Sequence, residues 1–220
     1  MKKLRNKKDI LKVFDINSWK TIKQVSKEIG LSYQPIYTYL NELTKEGFLE
    51  HKREGNVHFY LLNLKNRFVI KELENIEFEK MQDFIEGISK KINLGLIEFI
   101  EKIQELSLWM ILLFGSTARK SRTERSDIDI FIIVDKEHGK IKRISNTINM
   151  KYNLNISPVV VTLDEFRNML IERNKFTQNL LDEKIILYGF EVYFNELIKS
   201  MEKLKWIWKK ELKIIREKDF

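Results

Sequence analysis

The chain reads as α/β (α+β): a small helical N-terminal unit closed by a two-stranded ribbon, then a mixed-sheet domain with a long C-terminal helix. Three observations predict this. Apolar residues between positions 10 and 43 recur at helical spacing, then give way to two short β-rich runs. Residues 108–190 alternate strand-like and helical stretches, the pattern of a mixed sheet with helices against it. From about Val192 to Arg216, Leu197, Met201, Leu204, Ile207 and Leu212 recur among many lysines, as on a surface helix.

The N-terminal elements follow in order. Ile10, Leu11 and Phe14 have helical spacing, and Thr21, Ile22, Val25 and Ile29 form a second stripe that Gly30 stops. Ser32 is a good N-cap for a third helix. Pro35 falls in its first turn, where a missing N–H does no harm. Ile36, Leu40 and Leu43 give that helix its buried face, and Gly47 ends it. Phe48–Lys52 and Val57–Leu62 flank Arg53-Glu54-Gly55-Asn56, a hairpin turn.

This order over residues 7–62, carried by TIKQVSKEIGLSYQPIYTYLNELTKEGFLEHKREGNVHFYLL, resembles the winged helix-turn-helix family. The resemblance implies DNA as a partner, with the third helix in the major groove and the ribbon on flanking backbone. Ser32, Tyr33, Gln34, Tyr37, Thr38 and Asn41 on that helix, with Lys52 and Arg53 on the ribbon, are then the DNA-binding residues. Asn56 and His58 on the ribbon, and Lys20, Lys23 and Lys27 around the second helix, are further candidates. The alternatives are that the tyrosines pack internally or form a dimer surface, that the module docks protein, or that it serves interdomain packing.

Residues 66–106 look mainly helical, with Gly87 and Gly95 expected at bends or breaks and Asn93–Leu106 as the first helix of the next domain. Beyond it, Leu108–Phe114, Asp127–Val134 and Ile156–Val161 read as strands. Ile141–Tyr152 and Leu163–Arg173 read as helices, and Ile185–Tyr188 as a short fourth strand. The expected organisation is 1–65, 66–92 as a helical linker, and 93–220.

The chemistry lies in ILLFGSTARKSRTERSDIDIFIIV. Gly115-Ser116 follows an apolar strand, and Asp127-Ile128-Asp129 opens the next after ten residues. Alternation along a strand points Asp127 and Asp129 to one face, about 7 Å apart. Two carboxylates so placed suit Mg²⁺ (or Mn²⁺), which takes hard oxygen ligands and completes its shell with water and phosphate. Gly115 lets the backbone approach a phosphate, and Ser116 offers a hydroxyl and an N–H. Nucleotidyl transfer depends on such positioning and charge neutralisation.

Gly-Ser, ten residues, Asp-x-Asp resembles the minimal nucleotidyltransferase branch of the DNA polymerase beta-like superfamily. Ala118-Arg119, Ser126 and the closing Leu187-Tyr188-Gly189 also match. The resemblance covers about residues 93–190. It implies an NTP substrate held by Gly115, Ser116, Arg119 and Ser126, metal on the catalytic Asp127 and Asp129, and a small helical partner protein of the toxin–antitoxin kind. Active members usually carry a third acid on the next strand. Here that strand is Ile156-Ser157-Pro158-Val159-Val160-Val161, so Ser157 or Val159 stands in its place, while Asp164 and Glu165 suit a helix start. Glu124, Arg125, Lys120 and Arg122 are loop charges near the site, and His138 falls in a surface turn.

Composition bounds the rest. The 220 residues suffice for one large domain or two small ones, and 43% hydrophobic with 33% charged content fits a folded chain. No apolar run reaches the roughly 18 residues of a membrane span. The N-terminus lacks the apolar region of a secretory signal. There is no cysteine, which excludes disulfides, thiolate metal sites and a cysteine nucleophile. A cytoplasmic location is the expectation. Of the net charge of +8, residues 1–66 carry 13 Lys plus Arg against 7 Asp plus Glu, or +6, which suits a phosphate-backbone partner. Trp206 and Trp208 cannot both face one core, so one of them marks a homodimer or partner surface, or is simply exposed. Two functions remain open: a DNA-tethered transferase of nucleoside monophosphates onto a protein, RNA or small-molecule hydroxyl, or a regulator whose nucleotidyltransferase domain senses nucleotide or is silent.

Overall fold

A computed structural model of the chain describes residues 7–16, 18–123, 126–136 and 139–218, with side chains described between 9 and 204 within those ranges. Glu124, Arg125 and His138, and the side chains of Trp206, Ile207, Trp208 and Leu212, lie outside the described residues. The chain divides into two compact units, 1–76 and 77–220.

In the first unit a 3-10 helix over Lys7–Val13 leads to β1 (Lys20–Thr21), α1 (Ile22–Ile29), α2 (Tyr33–Lys45), β2 (Leu49–Glu54) and β3 (Val57–Leu62). Thr21 caps α1 in a reciprocal box: its hydroxyl accepts from the Gln24 N–H, and Gln24 accepts from the Thr21 N–H at 2.8 Å. The sheet order is β1-β3-β2, all antiparallel. Strand β1 was not foreseen; two residues are too short for an alternation signal. The ribbon is also tighter than expected. β2 continues through Glu54, so Arg53 lies in a strand opposite His58 and only Gly55-Asn56 make the turn. Ile10, Leu11, Ile22, Val25, Ile36, Leu40, Leu43, Leu49, Tyr60 and Leu62 are buried, so the apolar stripes of the helices meet one face of the ribbon.

The division between units falls inside α3 (Arg67–Gly87). The second unit continues with α4 (Lys90–Gln104), β4 (Leu108–Phe114), the single turn α5 (Gly115–Ala118), β5 (Ile128–Val134), α6 (Lys140–Tyr152), β6 (Ile156–Thr162), α7 (Leu163–Glu172), α8 (Lys175–Glu183), β7 (Ile185–Tyr188) and α9 (Phe190–Lys218). Gly87 does end a helix, but Gly95 lies inside α4. A side chain there would collide with Leu154, so the missing Cβ serves close packing rather than a break. Ser89 caps α4, which starts at Lys90, three residues before the expected start. Helix α8 was not foreseen; Asn174 caps it, accepting from the Thr177 N–H at 2.9 Å.

The sheet order is β6-β5-β4-β7, with β5 and β6 parallel and the other pairs antiparallel, so the sheet is mixed. Strand β5 is the central plank. Ile130, Phe131, Ile132, Ile133 and Val134 are all fully buried. Each contributes about 1.5–3 kcal/mol of apolar burial. One face of the sheet, with Ile111, Leu113, Ile128, Ile130 and Ile132, packs on α4 and α6. The other presents Phe114, Asp129 and Phe131; Phe131 meets Phe166 of α7 and Phe176 of α8. Asp129 is therefore carried on a rigid strand, on the face that α7 and α8 flank.

Candidate active site

The site begins at the β4–α5 corner. Gly115 has φ +69°, in the left-handed region, and a Cβ there would run into the Asp129 carboxylate. Glycine thus lets the corner close against the acid on the neighbouring strand, where Phe114 and Asp129 are register partners. Ser116 follows in the single turn of α5, half-buried, with its carbonyl accepting from the Ser121 N–H at 3.0 Å.

The two acids occupy different settings. Asp129 lies within β5 and is half-buried. Asp127 precedes the strand, with Ile128 as its first residue, and is exposed. The expectation that Asp127 opens the strand is corrected by one residue. Its place is set by other contacts: the Thr117 hydroxyl donates to the Asp127 carbonyl at 3.1 Å, and the Asn155 side-chain amide donates to its carboxylate. Burial raises the pKa of the Asp129 carboxyl, and the neighbouring Asp127 charge raises it further, while Arg119 opposes them. The carboxylates therefore feel each other, and Arg119 lies close enough to act on Asp129.

Asp129 is also paired with Ser157 across the parallel β5–β6 ladder. Strand β6 carries no carboxylate, and among the described residues no group of three His, Cys, Asp or Glu could hold a metal ion. A polar cleft of about 340 Å³ opens beside Asp127, with Lys142, Asn146, Asn155 and Ser157 in its walls.

Arg119 is exposed but forms an ion pair with Glu183 at the end of α8. Ser126 is turned into its own loop, accepting from the Thr123 N–H at 3.0 Å. Lys120 reaches the Asp83 carbonyl at 3.4 Å. The sequence reading does not single out Thr117, which lies within the motif, nor Asn155 and Glu183, which reach the site from 28 and 64 residues away, where no local pattern marks them.

In the first unit, Ser32, Tyr33, Gln34 and Thr38 are exposed on α2, and Ser32 precedes the helix without a side-chain capping bond. Tyr33 stacks on Tyr37, and Tyr37 meets His58 edge-on. Asn41 accepts from the Tyr60 hydroxyl at 3.2 Å, so Tyr37 and Asn41 lean on the ribbon. Lys52 pairs with Glu54 at 2.7 Å and covers Trp19 and Phe59. Arg53 donates to the Gly55 carbonyl and to Asn56. Lys20 is engaged by Glu28 and Asp15, while Lys23 and Lys27 are exposed. His51 and His58 hydrogen-bond to each other at 2.9 Å.

Comparison with known proteins agrees with the corner motif. The family described as "Polymerase beta, Nucleotidyltransferase" matches residues 96–193. Two proteins of Methanocaldococcus jannaschii bear the name "Putative protein adenylyltransferase". One is 35% identical over 78 residues, 36% of this chain and 76% of that protein. The other is 34% identical over 85 residues, 33% of this chain and 86% of that protein. Among solved structures, a toxin–antitoxin with AMP-PNP is 16% identical, with a TM-score of 0.37 over 56% of this chain and 97% of that one. A tri-AMPylated Shewanella oneidensis HEPN toxin in complex with MNT antitoxin is 16% identical, with a TM-score of 0.32 over 57% of this chain and 99% of that one.

Proposed function

The chain belongs to the polymerase beta nucleotidyltransferase family, and from that premise we propose that it transfers AMP from ATP to a hydroxyl on a protein, releasing pyrophosphate. The observation that carries this reading is the closure of the Gly115-Ser116 corner onto Asp129, with Asp127 beside it. The names of the two archaeal relatives favour a protein acceptor over RNA or a small molecule. The family resemblance further implies a small helical partner protein.

The acids fit Mg²⁺ or Mn²⁺. They are hard oxygen donors; burial, and after it the neighbouring Asp127 charge, raise the pKa of Asp129, and a bound dication would offset the repulsion between the two acids. Two protein carboxylates suffice where triphosphate oxygens and water complete the shell. A metal held there would neutralise charge at the α-phosphate and on the departing pyrophosphate. The chain's own residues do the positioning. Gly115 and Ser116 receive the phosphates, Arg119 offsets their charge, Asn155 and Thr117 hold Asp127, and the buried strand holds Asp129.

A second reading, a regulator whose nucleotide site is silent in transfer, is favoured by one feature: Ser157 stands beside Asp129 where a carboxylate would complete the set. In either reading the basic first unit binds DNA as a winged helix, with Gln34 and Thr38 exposed on α2. Incubation with α-phosphate-labelled ATP, Mg²⁺ or Mn²⁺ and cell extract separates the two. The transferase reading expects a labelled protein that disappears with Asp127→Ala plus Asp129→Ala. Absence of labelling from the wild type, with ATP still bound, leaves the regulator.

A further inference from the structure

Phe176 is a large aromatic left 43% exposed beside the acid-bearing corner. It lies in the first turn of α8, and its ring meets Phe114 edge-on at 5.8 Å and Phe131 at 6.1 Å. Phe114 is the residue before Gly115 and the cross-strand partner of Asp129. Phe131 is two residues beyond Asp129 on the same strand face. Phe176 therefore stands on the same side of the sheet as Asp129, one side chain away from the phosphate corner.

Helix α8 also reaches the site at its other end, where Glu183 holds Arg119. Phe176, Leu180 and Glu183 are spaced i, i+4, i+7, which places them on one helix face. Leu180 is buried, so that face is the one turned to the sheet. Seven residues of helix separate Phe176 from Glu183 by about 10 Å along the axis. That is comparable with the distance from the base to the inner phosphates of an extended nucleoside triphosphate. An aromatic face at one end and a guanidinium at the other match its two ends in chemistry.

We infer that Phe176 is the platform on which the nucleobase stacks, and that α8 sets the orientation of the nucleotide, base toward Phe176 and phosphates toward Arg119. The inference rests on the nucleotide reading of the Gly115–Asp129 corner and adds to it the recognition of the base. Stacking of a base on an aromatic side chain tolerates any base, so Phe176 supplies affinity for nucleoside, not choice of base.

The test measures binding of ATP and of tripolyphosphate, each with Mg²⁺, to the full chain by calorimetry. Phe176→Leu keeps the apolar packing and removes the ring face. It is expected to weaken ATP binding about tenfold while leaving tripolyphosphate unchanged. Phe176→Trp is expected to bind ATP like the wild type and to add fluorescence that ATP quenches and tripolyphosphate does not. ATP binding by Phe176→Leu at wild-type affinity overturns the inference and leaves the corner intact. Equal loss of ATP and tripolyphosphate does the same, because it marks a packing role. Should Phe176→Leu not fold, added emission in Phe176→Trp that ATP leaves unquenched also overturns it. A wild-type chain that binds neither ligand overturns the nucleotide reading itself, and the inference with it.

Discussion

Replacing Gly115 by alanine tests whether the corner is built around Asp129. The substitution meets two penalties. At φ +69° an L side chain sits in the left-handed region, which costs about 1–2 kcal/mol. The new Cβ also overlaps the outer oxygen of the Asp129 carboxylate. The strand backbone behind Asp129 is fixed by five fully buried side chains, so the carboxylate has to swing away instead. Holding it off its preferred rotamer costs a further ~0.5–1.5 kcal/mol. The sum, about 1.5–3.5 kcal/mol, lowers the melting temperature of a unit near 150 residues by roughly 3–14 °C. The functional loss is larger in kind, because the displaced group is a proposed metal ligand. Mg²⁺-dependent ATP binding is expected to fall at least about tenfold, a loss of 1.4 kcal/mol or more. Differential scanning fluorimetry and calorimetric titration of Gly115→Ala, with Asp129→Ala as reference, read both effects. An alanine variant that melts lower yet binds Mg-ATP with wild-type affinity refutes the link between the corner and the carboxylate.

Further predictions concern the charges. The Asp129 pKa is raised, so this carboxyl contributes stability that is fully present below the ordinary carboxylate range and is lost as pH rises through its raised pKa. Asp129→Asn should therefore unfold at higher denaturant than wild type at pH 7 and lose that advantage in acid, while losing Mg²⁺-dependent ATP binding. The exposed Arg119–Glu183 pair should contribute no more than about 1 kcal/mol to folding. Glu183→Gln should accordingly keep its melting point and bind ATP severalfold tighter, since a negative charge leaves the phosphate side; weaker binding would refute that electrostatic account. Arg167 grips the buried Glu196 at 2.7 Å, tying α7 to α9, and holds its carboxyl below the usual range. Arg167→Leu should cost about 1–3 kcal/mol at pH 7, with Lys199 still paired to Glu196, and the cost should shrink as pH falls through the lowered pKa of Glu196. In gel shifts on DNA upstream of its own reading frame, Gln34→Ala plus Thr38→Ala should relax sequence preference. Lys23→Ala plus Lys27→Ala should weaken all DNA alike and flatten the salt dependence; equal effects of both pairs would argue against α2 as the reading helix.

Some of this was present in the chain of residues itself. Short apolar runs such as Leu108–Phe114 and Ile130–Val134, bounded by polar residues, read as largely buried strands, and the glycine-serine pair followed ten residues later by Asp-x-Asp marks which strand ends carry the candidate site. These are local properties, set by alternation and helical period, and they placed Gly115, Ser116, Asp127 and Asp129 correctly in their elements to within one residue. What surrounds those four was decided only in three dimensions. Gly115 is required for the approach of Asp129, a need separate from any phosphate contact, because antiparallel pairing sets Phe114 opposite that acid. Asn155, Glu183 and Phe176 entered because β6 and α8 come back beside β5 and β4 from far along the chain. A side chain's partners across a sheet or from a neighbouring helix depend on register and packing, which no short stretch of sequence encodes.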